Sequence, residues 1–242
     1  MTQGSAAKFD QSRAGEYARQ SRIGLAGYDA CHELSACMLS AAIGAGHAAR
    51  VLVVGAGGTA GEIIAAANLE PQWHFVAIDP SEPMLDLART HIKDAGLSEW
   101  VETVLGAVSD IDPDTPFDAA IMIGVLHHLP GDTAKQDILA QISTRLKPGA
   151  LLVVAGNYRT YASEPLLMAA WANRWRMHGA ADDEVQAKMG RLMQGAEPPP
   201  SEEAVFSLLA DAGFVSPVRF FASLFWGAWL ARRSDIDGRD HG

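Results

Sequence analysis

Through the middle of the chain, short unbroken apolar runs alternate with stretches whose apolar positions recur at helical spacing. Runs such as Val51-Leu52-Val53-Val54 and Ala119-Ala120-Ile121-Met122-Ile123 carry no polar alternation, which predicts strands buried on both faces of a parallel sheet. Strands are expected at 51–54, 74–79, 100–105, 119–123 and 150–155. Helices are expected at 63–68, 82–95 and 133–146, the last stopped by Pro148 and Gly149. A Gly106-Ala107-Val108 turn and a polar, proline-bearing loop at 110–116 join the third strand to the fourth. This repeat implies a doubly wound α/β fold, a mostly parallel open sheet with helices on both faces. Ligands of such sheets bind outside the carboxyl ends of the strands. The loops after Val54, Ile78, Leu105, Ile123 and Ala155 should therefore surround the site.

The ends read differently. Residues up to about 49 look helical, most strongly at 28–43. Two helical patterns rich in Met, Trp and Arg fill 165–194, with a break near Gly179. After Pro198-Pro199-Pro200, Ser201 is placed as an N-cap and Gly213 as a helix stop. The stretches 215–220 and 224–231 are spaced to pair as a hairpin, and the polar tail after Arg233 is expected to be disordered.

Composition narrows the partners. The chain has 242 residues, 48% of them hydrophobic, enough for one good-sized α/β core. A formal net charge of −10 argues against gripping a nucleic-acid backbone. No segment is apolar and long enough to span a bilayer, and no signal core opens the sequence. Cys31 and Cys37, on different faces of one helix, read as buried structural thiols of a reducing cytoplasm.

Candidate chemistry concentrates where Val54 runs into Gly55-Ala56-Gly57-Gly58-Thr59-Ala60-Gly61-Glu62. The glycines permit a sharp turn and a close ligand approach, and the helix that follows offers free N–H groups. Asp79 closes the next strand, where a carboxylate accepts hydrogen bonds from the two ribose hydroxyls of a nucleotide. Ser81, followed by Pro83, should cap the next helix and leave Asp79 free for the ligand.

Further pieces fit one pattern. Phe117-Asp118 enters the fourth strand, Leu126-His127-His128-Leu129-Pro130 follows it, and Leu146-Lys147-Pro148-Gly149 precedes the fifth. With the glycine turn, Asp79 and the terminal hairpin, these make the chain resemble class I S-adenosylmethionine-dependent methyltransferases over about 49–232. Ala26-Gly27-Tyr28, the helices of 166–194, and 220–231 resemble the carboxy-S-adenosylmethionine synthases and their methyltransferase relatives. The resemblance implies a seven-stranded Rossmann-like sheet with a C-terminal antiparallel hairpin and a helical cap. It divides the chain into an N-terminal cap (1–48), a methyltransferase domain (49–233) with a helical lid insertion (157–200), and a tail (234–242). It implies S-adenosyl-L-methionine as cofactor, bound by Gly55, Ala56, Gly57, Asp79, Pro80, Met84, Ala107, Val108, Ile123 and Tyr28. His127 and Tyr28 are its catalytic candidates, and no metal is called for. Methyl transfer to a small-molecule acceptor follows, in the cytoplasm, without nucleic-acid or membrane partners; a homodimer is admitted.

The chain departs from the family at three places. Val53 stands where an acid usually organises the amino-acid end of the cofactor, so another group must serve. Thr59 replaces a common glycine. Ala107 replaces an Asp that often reads the adenine amino group, leaving the Val108 N–H and Asp110 for that task.

A sulfonium is already a reactive methyl donor, so the protein's tasks are alignment and exclusion of water. His127 is the economical base for a hydroxyl or ammonium acceptor, although this dipeptide also reads as loop packing. Tyr28, Trp171, Arg174 and Trp175 suggest an aromatic lid, and the two tryptophans read equally as core. With Tyr158, Tyr161 and Met168 they suit a partly apolar or planar acceptor. Arg191 aligns with the synthases' carboxylate-binding Arg only after a one-residue shift, which favours an ordinary methyl donor. A carboxy-S-adenosylmethionine synthase-type enzyme, a dinucleotide-dependent oxidoreductase and a non-catalytic adenosyl-ligand binder are the alternatives.

Overall fold

All five apolar runs become parallel strands in the computed structural model, which describes residues 11–235. They are β1 (Arg50–Val54), β2 (His74–Asp79), β3 (Val101–Leu105), β4 (Phe117–Ile123) and β5 (Leu146–Asn157). The hairpin strands β6 (Phe214–Ser223) and β7 (Trp226–Arg233) complete the order β3-β2-β1-β4-β5-β7-β6, with β7 antiparallel to both neighbours. The expected seven-stranded Rossmann-like sheet, with its antiparallel terminal pair, is what forms.

Successive side chains of a strand point to opposite faces, so an unbroken apolar run needs two cores. Val51, Val53, Ala77 and Ile121 face one core, under α2 (Tyr28–Ile43), α3 (Gly61–Leu69) and α4 (Glu82–Asp94). Leu52, Val54, Ile78 and Met122 face the other, under α5 (Gly131–Thr144) and α8 (Glu202–Asp211). Ser201 caps α8 as expected, its hydroxyl accepting the Ala204 N–H at 3.2 Å. A third cluster joins Ile23 of α1 (Gln11–Gly24) to Trp171 and Trp175 of α6 (Pro165–Met177), Val185 of α7 (Asp182–Gly195), Tyr161 and Phe225.

The chain leaves β1 toward β2 and β3, then crosses back to lay β4 along the other side of β1. This reversal splays the loops after β1 and β4 and opens a crevice at the carboxyl ends of the two strands.

Two details differ from expectation. Helix α5 stops at Thr144, and Lys147-Pro148-Gly149 lies inside β5. The stop is made by Arg145, whose guanidinium donates to the carbonyls of Ser109, Ile111 and Gln141. Pro148 falls where the β4–β5 pairing slips between Phe117 and Ala119, a place where the missing N–H costs no ladder bond. Of the two thiols only Cys31 is buried, where desolvation pushes it up to about 12; Cys37 is exposed. The tail beyond residue 235 lies outside the described residues.

The outer strand β6 is irregular. Ser216 adopts a left-handed φ of 51°, Pro217 follows, and the pairing with β7 slips between Val215 and Val218, both exposed.

Candidate functional site

The glycine turn is tight for identifiable reasons. Gly55 has φ +70°, and a Cβ there would stand 2.2 Å from Val125 Cγ2. A Cβ on Gly57 would stand 2.5 Å from Met84 Cβ and 2.6 Å from Asp79 Oδ2. Only glycine fits either position.

Asp79 binds both sides of the crevice. The Gly57 N–H donates to its Oδ2 at 2.9 Å and the Ser81 N–H to its Oδ1 at 2.8 Å. Ser81 stands at the N-cap of α4, but its side chain makes no capping bond; Asp79 takes its N–H instead. The expectation of an Asp79 left free is corrected accordingly. Burial raises the Asp79 carboxyl, the two N–H groups pull it back, and the charge of Glu62 adds to the rise. Each carboxylate oxygen accepts one bond and keeps a second lone-pair direction, which suits a ribose diol.

Six of the candidate residues meet in one cleft: Gly55, Gly57, Asp79, Pro80, Met84 and Ile123. Tyr17, Ser81, Gly124, Val125, His128 and Leu129 complete its lining. The cleft measures about 80 Å³, small beside the roughly 300–1,000 Å³ of typical small-ligand sites. A larger hollow of about 560 Å³ lies at the amino ends of the strands, around Arg50, His74 and Trp100. That is the wrong end of a doubly wound sheet for a nucleotide.

The remaining candidates stand around the cleft without lining it. Ala56 is fully buried beneath the turn, its N–H donating to the Ile78 carbonyl. Val108 packs in the core of the α5 face. Ala107 is exposed, and its N–H donates to Asp110 Oδ2 at 2.8 Å, so Asp110 folds back onto its own turn. Arg191 is exposed on α7.

Tyr28 reaches the turn through Thr59, with 2.5 Å between Oη and Oγ1, which gives the irregular Thr59 a structural partner. Burial raises the Tyr28 phenol strongly. Beside it, His32 Nδ1 faces the Tyr28 carbonyl at 2.7 Å and His32 Nε2 lies 3.3 Å from Glu62 Oε2, both side chains being buried.

His127 is buried behind the cleft, its ring 4.2 Å from that of His128, which lines it. The Asn157 N–H donates to His127 Nδ1 at 3.4 Å, and the Trp226 indole meets the ring edge-on at 5.3 Å. With Nδ1 accepting, a neutral His127 carries its proton on Nε2 and acts as a donor. Helix α6 is pinned to the end of α1: Trp171 Nε1 donates to the Gly24 carbonyl and Arg174 Nε to that of Ile23, both at 2.7 Å.

Tyr17, Ser81, Gly124, Val125, His128 and Leu129 are lining residues that sequence reasoning did not assign to the site. The only signal for Tyr17 is a single aromatic in an otherwise polar helix.

Similarity to known proteins agrees with this geometry. A family model described as a methyltransferase domain matches residues 52–152. The ubiquinone biosynthesis O-methyltransferase of Xylella fastidiosa (strain 9a5c) is 33% identical over 117 residues, 48% of this chain and 44% of that protein. The carboxy-S-adenosyl-L-methionine synthase of Aeromonas salmonicida is 24% identical over 168 residues, 68% of this chain and 66% of that one. The chain thus spans less than half of the first relative and about two thirds of the second. An O-methyltransferase family protein from Burkholderia thailandensis shares the fold at a TM-score of 0.59 and 17% identity, over 92% of this chain and 68% of that one. The methyltransferase-domain match over residues 52–152, the strand order and the carboxylate across the glycine turn agree with the resemblance to the class I S-adenosylmethionine-dependent methyltransferases.

Proposed function

We propose that the protein transfers a methyl group from S-adenosyl-L-methionine to a small-molecule acceptor. The observation that carries this reading is Asp79, held by the Gly57 and Ser81 N–H groups at the crevice with one lone pair per oxygen to spare. When bound, the cofactor supplies a methyl group already activated on a sulfonium sulfur.

The residues divide the remaining work. Asp79 holds the ribose, and the Gly55–Gly57 backbone lets the amino-acid end approach. Pro80, Met84 and Ile123 wall the cleft, while Ala56, Ala107 and Val108 shape the backbone behind it. Glu62, paired with His32, is the buried acid beside the turn that takes over from the apolar Val53. Tyr17, Tyr28 and the α6–α7 lid keep water out. His128, on the cleft wall, receives the acceptor's proton, and His127 positions it through ring contact.

In this reading residues 1–48 form a cap, 49–233 the methyltransferase domain and 157–200 its lid. Among the described residues no helix is long and apolar enough to cross a membrane. The protein is proposed to work in the cytoplasm without nucleic-acid or membrane partners, and self-association into a dimer is compatible with the resemblance.

The similarity to a carboxy-S-adenosyl-L-methionine synthase supports a second reading, opposed by the exposed position of Arg191 outside the cleft. Mass spectrometry of the small molecule released on denaturing freshly purified protein separates the two. S-adenosylmethionine or its homocysteine product is expected; the carboxylated form would install the second reading. A nicotinamide or flavin would overturn both. Turnover with a panel of acceptors distinguishes an enzyme from a binder.

A further inference from the structure

We propose that Asn157 and Trp226 are the recognition pair for the methyl acceptor, and that this acceptor is a flat, uncharged molecule anchored by a hydroxyl group. The inference rests on the methyltransferase reading above and names the other half of that site.

Asn157 ends β5, and Trp226 begins β7 directly opposite it in the antiparallel ladder. Facing residues of such a pair share one side of the sheet with Cβ atoms about 4.5–5.5 Å apart. Asn157 is 3% exposed, and its Nδ2 donates to Tyr161 Oη at 2.7 Å. Among the described residues its Oδ1 is buried with no partner, and so is Trp226 Nε1. One orphaned acceptor and one orphaned donor therefore sit on neighbouring side chains of one sheet face, and most buried polar atoms in folded proteins have partners.

The chemistry of the pair selects its ligand. The simplest group that gives a hydrogen to an amide oxygen and accepts one from an indole N–H at a single atom is a hydroxyl; a carboxylate has no hydrogen to give and an ammonium no lone pair. An amide oxygen cannot remove the proton, so the held hydroxyl is an anchor. The methylated atom is a different one on the same molecule.

Position ties the pair to the cofactor cleft. The far edge of the Trp226 indole, Cη2, lies 3.5 Å from where a Cβ on Gly124 would stand, and Gly124 lines the cleft. The surroundings are aromatic and uncharged. Trp226 packs on the cluster of Leu25 and Tyr28, while Tyr161 leads from Asn157 to Phe225, ring edge to ring face at 5.1 Å. These walls suit a ring.

The test uses the full-length protein with S-adenosylhomocysteine present, and catechol, phenol and toluene as probes followed by ligand-observed NMR. Catechol and phenol are expected to bind, toluene weakly at best. Trp226→Phe keeps the ring and loses the N–H; Asn157→Leu loses the acceptor. Each should weaken catechol at least tenfold, leave toluene unchanged and leave S-adenosylhomocysteine affinity intact by calorimetry. Trp226→Phe should also melt no lower than the parent, because it deletes an orphaned donor. Catechol binding that survives both substitutions, toluene binding as well as catechol, or a clear drop in the Trp226→Phe melting point would overturn the proposal. Failure of the parent protein to bind S-adenosylhomocysteine would instead sink the methyltransferase reading.

Discussion

The Tyr17 ring lies across Gly58: a Cβ on that glycine would stand 2.3 Å from Tyr17 Cε1. Helix α1 thus closes over the glycine turn, with Tyr17 half-buried there. Desolvation pushes its phenol up to about 12, a Ser21 hydrogen bond works against the rise, and the Glu62 and Asp79 charges add to it. Tyr17 also lines the cleft, so it stands in the path of the adenosyl ligand proposed above. Tyr17→Ala should therefore speed cofactor association by about tenfold, ~1.4 kcal/mol of barrier. Stopped-flow binding measures it, and an unchanged rate would show that Tyr17 is no gate.

The same contact predicts a coupled stability effect. Gly58 has φ +111°, so Gly58→Ala carries both backbone strain and the clash with Tyr17, together on the order of 1–3 kcal/mol. In a double-mutant cycle with Tyr17→Ala, the steric part should disappear and the strain remain. Strict additivity of the two melting-point shifts would contradict the contact.

Asp79→Ala removes the proposed ribose acceptor and leaves the Gly57 and Ser81 N–H groups without theirs. Cofactor affinity should fall by on the order of 2–4 kcal/mol, read by titration calorimetry. The melting point of the ligand-free protein should fall too. Unchanged affinity would remove Asp79 from the site.

His32 gives the fold a pH dependence. Both its ring nitrogens face acceptors, the Tyr28 carbonyl and the Glu62 carboxylate, and only the imidazolium offers two N–H groups. Burial pulls its pKa down, but Glu62, with the Tyr28 carbonyl and Asp29, outweighs burial and leaves it above 6.5. A folded value above the unfolded one means the stabilisation is complete below about pH 6.5 and fades as pH climbs through the folded value. Melting points taken upward from pH 6 should therefore decline, and Glu62→Gln should flatten the slope. A parent curve already flat over that range would refute the charged pair.

The strands were legible because a run buried on both faces has no alternative reading, as Val51 to Val54 illustrate. The end of α5 was not legible. Pro148 and Gly149 look like a helix stop, yet Arg145 ends the helix through carbonyls of Ser109 and Ile111, partners that only folding brings near. At the site, Asp79 stands out as an acid closing an apolar strand, while its two N–H partners depend on how α4 docks against the glycine turn. Adjacency in a sequence cannot tell which of His127 and His128 faces a cleft, because the two rings lie 4.2 Å apart on one 3-10 turn and only tertiary packing buries one of them. Tyr17 left almost no trace, since its partner glycine is distant along the chain.

The kink at Ser216 and Pro217 decides how this sheet ends. A straight outer strand showing Val215 and Val218 would offer unpaired N–H and C=O groups to any other extended chain. The left-handed Ser216 turns that row out of line, and Pro217 removes a donor from it. The outer strand β6 therefore works as a terminator: it denies docking to an eighth strand, shields crowded protein from cross-β growth, and leaves any pairing of two copies to a surface other than this edge.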